Sequence, residues 1–372
     1  MRQSFLRYKH DLKTLTIFAI CVLPLCGTTI FGTKALATEP TEAVSTLRSV
    51  SVFKNQIVDQ DGKPLRLLGV NKSGTEYACF QGWGIYDGDF NLATVKSMKA
   101  WGINAVRVPL NSACWLERAS KDKRFTGANY KLAIVETVKL LGSQGMIAIL
   151  DLHWNPSRDG KMVASSQSAP NADAEVFWRS VAINLRSQKN VIFDLFNEPQ
   201  GIDWKCWRIG CVLKNNTKSV GMQNLIDAIR QIGSKNPIIF EGTQTATDFS
   251  GWAEYKLIDP LNQLIASNHN YQGMTGSNTL DSWNAKYLPI SKELPLMTGE
   301  LGQPDCKHDY VDKYMDWADV SGISYLGWTW NVTSKSWPCV GKHSLISDSS
   351  GTPTEYGLGF RNHIFKASLT NG

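Results

Sequence analysis

Short apolar runs recur along this chain, with helical patterning between them. They are "LRLLGVN" (65–71), "INAVRVPL" (103–110), "MIAILDLHW" (146–154), "VIFDLFNEP" (191–199), "PIIFEGT" (237–243), "QLIASNHNY" (263–271), "PLMTGEL" (295–301) and "ISYLGWTWN" (323–331). Most are apolar at successive positions, as in strands buried on both faces. Segments between them, such as "NLATVKSMKAWG" and "NYKLAIVETVKLLGSQG", space their apolar residues at helical intervals. Strands alternating with helices indicate a parallel sheet covered by helices. Eight such units close into an α/β fold, the (β/α)8 TIM barrel. Ahead of them, "SVFKNQIVDQDGKPLRL" carries Asp-Gly between two alternating runs, the mark of a β-hairpin. No low-complexity tract or second domain is visible, so residues 51–372 are expected to form one domain.

Polar residues gather at the C-terminal ends of these runs, the face on which barrel active sites are built. In "NVIFDLFNEPQG" a buried-type run ends abruptly in Asn197, Glu198 and Pro199. Arg107 lies in the second run, His153 ends the third, His269 and Tyr271 end the sixth, Glu300 the seventh, and Trp328 and Trp330 the eighth. Each has a plain reading alone: Arg107 as an ion-pair partner, His153 as a hydrogen-bonded core histidine, a glutamate as a helix cap. With Glu241 in the fifth run counted, the same end of seven strands of eight carries such residues, which points to a site. Glu76 and Glu241 share that face, whereas Asp151 and Asp194 come earlier in their strands and read as buried structural acids.

Composition adds compartment and ligand class. With 42% hydrophobic and 19% charged residues, the chain can bury a large core. A net charge of +6 with no basic block beyond the extreme N-terminus does not suggest nucleic acid. The 13 Trp residues favour a ligand that stacks on flat rings, although most are expected in the core. Arg2, Arg7, Lys9 and Lys13, the apolar "LTIFAICVLPLCGTTIFG" and "ALA" at 35–37 read as a signal peptide over 1–37, with an uncleaved membrane anchor as the alternative. Residues 38–50 read as a flexible lead-in, and the mature chain is expected to be secreted. Six cysteines then remain (Cys79, Cys114, Cys206, Cys211, Cys306 and Cys339), an even number that suggests three disulfides. Six allow 15 pairings; Cys206 and Cys211, flanking the turn-like "WRIG", are expected to pair locally.

The Asn-Glu-Pro of "VIFDLFNEPQG" resembles the motif of glycoside hydrolase family 5, which contains many endoglucanases. The resemblance continues in order through "GKPLRLLGVN", "VRVPL", "DLHW", "NHNY", "MTGEL" and "GWTWN", and "GVNKSGTEYACFQGWG" resembles a bacterial cellulase-type subgroup. It implies a retaining hydrolase with Glu198 as proton donor and base and Glu300 as nucleophile, 102 residues apart and brought together by the barrel. It also implies Arg107 and Tyr271 against the nucleophile, Asn197 on the sugar 2-hydroxyl, and His153 and His269 around the −1 sugar. One of Trp328 and Trp330 would be the sugar platform; their spacing does not say which. The family's loop positions imply Cys79–Cys114, Cys206–Cys211 and Cys306–Cys339.

"PLMTGEL" matches the family's nucleophile strand, which favours Glu300 over Glu241 as the second carboxylate. Trp83, Trp115, Trp154 and Trp204 lie in loops where they could extend a cleft. The expected substrate is a β-1,4-glucan. The alternatives are a mannanase or a β-1,3 or mixed-linkage glucanase on the same scaffold, and a carbohydrate-binding protein without catalysis. No cofactor, metal or protein partner is implied, and the chain is expected to act as a monomer.

Overall fold

The computed structural model describes residues 48–118, 122–156, 168–214, 216–274, 278–332 and 343–370. The expected signal segment, the lead-in up to residue 47 and Cys339 lie outside them. Eight parallel strands close into a barrel: β3 (Leu68–Asn71), β4 (Ala105–Asn111), β5 (Ile147–Trp154), β6 (Val191–Asp194), β7 (Ile238–Glu241), β8 (Leu264–Tyr271), β9 (Leu296–Gly302) and β10 (Ser324–Gly327). Each lies within one of the eight apolar runs or overlaps it. Closure comes from β10, which pairs with both β9 and β3.

Helices pack outside this ring. The helix Leu92–Ala100 starts where the Asn91 side chain accepts the Thr94 N–H, an N-cap. The helix Ala128–Ser143 buries Tyr130, Ile134, Thr137, Val138 and Leu141, the three- and four-residue spacing of one face. Among the described residues no helix is long and apolar enough to cross a membrane.

The hairpin turns earlier than its sequence suggests. β1 (Val50–Phe53) and β2 (Gln56–Asp59) reverse at Lys54–Asn55, with Lys54 at φ +56°. The Asp61-Gly62 turn makes a second reversal, pairing Val58 with Pro64 through a single bridge. Val50, Val52 and Ile57 of this hairpin pack with Leu67, Ala105, Ile147, Ile149, Ile192, Ile239, Ile265, Met297 and Leu326. These apolar side chains form one cluster within the barrel. Two other boundaries fall short of the expected runs: β6 stops at Asp194 and β10 at Gly327. Asn197 and Glu198 therefore lie beyond the strand, although Leu195 and Asn197 still donate to Ile239 and Leu152 carbonyls of the flanking strands.

Cys79–Cys114 joins the loop after β3 to the short helix Ser112–Leu116 after β4, and Cys206–Cys211 closes a local loop. Cys306 is disulfide-bonded as well. The Cys79–Cys114 bond spans 35 residues. In the chain-entropy account a loop of that length is worth about 4 kcal/mol. Replacing both cysteines by serine should lower the unfolding free energy by about 3 to 4 kcal/mol; an unchanged denaturant midpoint would refute this.

Candidate active site

Strand alternation carries the barrel interior from apolar to polar. Along β4, Ala105 is followed two residues on by Arg107; along β5, Ile149 by Asp151 and His153. The same step takes Ile192 to Asp194 in β6, Ile239 to Glu241 in β7, and Ile265 to Ser267, His269 and Tyr271 in β8. A period of two keeps each series on one face.

β9 needs a correction of phase. Met297 points inward with the apolar cluster, while Thr298 bonds Tyr314 on the outer helix Asp309–Val320. Simple alternation would turn Glu300 outward. Instead Asn268 pairs with Thr298 and His269 with Glu300, leaving Gly299 as an extra residue. Such a bulge re-aims the next side chain. Gly299 is required there, because a Cβ would lie 2.6 Å from Ser267 Oγ and 3.2 Å from His269 Nε2.

Arg107 is fully buried and spans the interior. Its Nε donates to Asp194 at 2.8 Å; Nη1 donates to Asn71 at 3.1 Å and to Glu300 at 2.7 Å. Nη2 donates to Asn197 and to Glu241, both at 3.0 Å, and lies 3.0 Å from Asp151. Arg107 is thus an ion-pair centre, as its plain reading has it, and one of its partners is the expected nucleophile Glu300. Asp151 and Asp194 are buried acids, as expected. Burial, followed by the nearby charges of Glu241 and Asp151, raises the Asp194 carboxyl well above its usual range against the pull of Arg107.

Glu198 and Glu300 face each other across His269. Nδ1 of His269 lies 3.0 Å from Glu198 Oε1 and 3.6 Å from Glu300 Oε2, and Nε2 lies 3.0 Å from Glu241 Oε1. One oxygen of each of Glu198 and Glu300 and one ring nitrogen of His269 fall within 4.8 Å of one another. Those three atoms have the spacing of a metal site. An added cation, however, would sit beside the Arg107 guanidinium and compete with a histidine whose two nitrogens both face carboxylates. The Tyr271 hydroxyl donates to Glu300 Oε2 at 2.6 Å.

These contacts set charge. Burial would raise Glu300, but His269, Arg107 and His153, with the Tyr271 hydrogen bond, hold its carboxyl down at about 2. Burial would lower His269, but the charges of Glu241 and Glu300 and the bonds to Glu198 and Glu241 carry it well above the usual imidazole value. His153, against the same burial cost, is raised to about 9 by Asp151, whose carboxylate lies 2.7 Å from its Nδ1, and by Glu76 and Glu300. Glu300 is thus an ionised carboxylate among cations on the floor of the site. Glu198 has 22% of its side chain exposed against 5% for Glu300, and reaches toward solvent.

The tryptophan pair separates. Trp328 is half-buried and stacks on His153 at 5.5 Å with the rings 10° apart. Trp330 is buried, edge-on against Trp101. The two do not share a face because the strand ends at Gly327. Of the four loop tryptophans, Trp115 is fully buried and bonds Ser180, so it lines no cleft. Trp204 packs on Trp207. Trp83 and Trp154 gather around Tyr77, 6.1 and 6.2 Å from its ring, and Trp83 is 59% exposed. Tyr77 and Asn71 were missed in the sequence. Asn71 ends β3 as other site residues end their strands, and that was the available signal.

Comparison with known proteins supplies the family. Residues 58–334 match the family model "Cellulase (glycosyl hydrolase family 5)". An endoglucanase of Clostridium saccharobutylicum is 26% identical over 341 residues, covering 87% of this chain and 65% of that one. Endo-beta-1,4-glucanase A of Emericella nidulans is 29% identical over 226 residues, covering 57% of this chain and 62% of that one. The chain thus spans slightly less than two thirds of these relatives' length. The crystal structure of a beta-glucanase from Saccharophagus degradans superposes with a TM-score of 0.66 at 19% identity, over 90% of this chain and 98% of that one, a likeness of fold. An Arg-anchored, ionised Glu300 facing Glu198 on a closed eight-stranded barrel, and a family match over most of the chain, lead to one conclusion: this protein belongs to glycosyl hydrolase family 5, the cellulase family.

Proposed function

We propose that this chain is a retaining endo-β-glycosidase that hydrolyses β-1,4-glucan, with residues 51–372 as its catalytic domain. The observation that carries the reading is the approach of the two carboxylates, with oxygens within 4.8 Å. Retaining pairs stand about 5 to 5.5 Å apart, whereas inverting pairs leave about 6.5 to 9.5 Å for a water. In this scheme Glu198 protonates the leaving oxygen while Glu300 attacks the anomeric carbon and forms a glycosyl ester. Esterification removes the Glu300 charge, and Glu198 then acts as base toward water. Arg107 and Tyr271 keep Glu300 ionised and oriented. Asn197, its carbonyl oxygen taken by Arg107, offers its amide N–H to the sugar 2-hydroxyl, and Trp328 lies under the ring. Tyr77, Trp83 and Trp154 supply flat surfaces for further sugars. The names of the relatives support glucan as substrate, and the disulfides support action outside the cell.

The test is product stereochemistry. Early-time NMR of a cello-oligosaccharide digest should show the β-anomer first, and added alcohol should be glycosylated. An initial α-anomer would overturn the mechanism. A panel of β-1,4-glucan, mixed-linkage glucan, mannan and laminarin tests the substrate, and faster release from any of the last three would move the assignment to that polymer.

A further inference from the structure

We propose that Glu241 is a positioning residue for Glu198: by accepting the Glu198 backbone N–H and holding His269 on its other side, it fixes the aim of the acid/base carboxyl. The inference rests on the reading above and adds a residue that reading does not use.

Glu241 ends β7 and is fully buried. Both of its oxygens are engaged. Oε2 accepts the Glu198 N–H at 2.6 Å, while Oε1 accepts from Arg107 Nη2 and faces His269 Nε2, each at 3.0 Å. Its backbone carbonyl accepts the Trp207 indole N–H at 3.0 Å, which anchors the strand end from outside. Glu198 has φ +52°, a left-handed conformation that a residue with a Cβ holds only when its surroundings impose it. The charge-assisted bond from its N–H to Glu241 is one such constraint. His269 then meets the Glu198 carboxyl from the side, through Nδ1 at 3.0 Å. One carboxylate therefore controls both the main chain of Glu198 and the imidazole against its side chain.

Neither near substitute can reproduce this. In Glu241→Gln one oxygen becomes an NH2, which must face either the Glu198 N–H or the Arg107 guanidinium. Glu241→Asp keeps the charge but draws it back by one methylene.

Misalignment affects the proton more than the nucleophile, since Glu300 keeps Arg107 at 2.7 Å and Tyr271 at 2.6 Å. For Glu241→Gln, kcat on soluble β-1,4-glucan should fall about 100-fold, the order expected for a displaced catalytic group. KM should stay within about twofold, since substrate contacts remain. kcat/KM for 2,4-dinitrophenyl cellobioside, whose leaving group needs no proton, should fall less than about tenfold. A purely structural role would lower both substrates alike, and equal losses would overturn the proposal. Glu241→Asp should fall between wild type and Gln with the same substrate split. If neither variant folds by circular dichroism, Glu241 serves the fold and the proposal fails. The wild-type panel judges the glucanase reading separately, because the ratio of losses between the two substrates is read only within an active enzyme.

Discussion

Glu300→Gln should abolish hydrolysis of every glycoside, activated or natural, by roughly four orders of magnitude or more. Glutamine preserves the shape, and with its oxygen toward Arg107 its NH2 can donate to the Tyr271 hydroxyl, so the loss is chiefly that of the charge. Without an ionised oxygen no glycosyl ester can form, and a better leaving group cannot compensate. Glu198→Gln should behave differently. On natural glucan it should lose roughly 10^2- to 10^4-fold, the usual worth of a positioned acid. On 2,4-dinitrophenyl cellobioside its ester-forming step should be nearly intact. Burst kinetics would then show intermediate accumulating, because the base for the second step is also gone. A Glu198→Gln variant equally poor on both substrates, or a Glu300→Gln variant active on the aryl glycoside, would reverse or remove the assigned roles.

Arg107→Met should cost both structure and turnover. The guanidinium is the shared partner of Asp151, Asp194, Glu241 and Glu300, all at least 95% buried in their side chains. Removing one member of a buried ion pair typically costs about 3 to 5 kcal/mol, because the remaining charges stay desolvated. Here four acids lose one cation, so a loss at the upper end is expected in urea denaturation. Arg107→Lys should be better folded yet still impaired by about 100-fold or more. An ammonium is a compact donor and cannot reach five acceptors arranged around a planar fork. Lysine supporting wild-type kcat/KM and midpoint would show that charge alone suffices and that the fork geometry is idle.

The barrel was legible in the chain because a buried parallel strand must be apolar along its length, and eight such runs alternate with helical spacing. The site was legible for a related reason: Arg107, His153 and His269 interrupt that apolarity at one end, where alternation brings them inward, and Glu300 does so where the extra residue Gly299 turns it inward. What escaped depends on events between strands. The hairpin turns at Lys54–Asn55, and nothing local marks it more strongly than the Asp61-Gly62 turn that follows. Trp328 and Trp330 looked like partners because alternation was extended past Gly327, where pairing has ended. Trp115 looked like a cleft residue from its loop position; only the packing of Tyr130 and Phe177 around it shows otherwise. Glu241 was visible as a strand-end acid, but its grip on the Glu198 main chain arises from a fold-wide contact across 43 residues.

The extra residue in β9 has a meaning for anyone moving this chemistry to another scaffold. Within seven residues the strand runs in two reading frames: Met297 is counted inward by one, Glu300 by the other. A donor segment that keeps Gly299 but is paired as a regular strand, without the bulge, would keep its glutamate in name and present it to the solvent-side helices, since a one-residue slip exchanges the faces of a strand. A copy with any larger residue at 299 would keep the count and collide with Ser267. The transferable unit is therefore the glycine and the glutamate together, with a partner strand bearing a small residue where Ser267 stands.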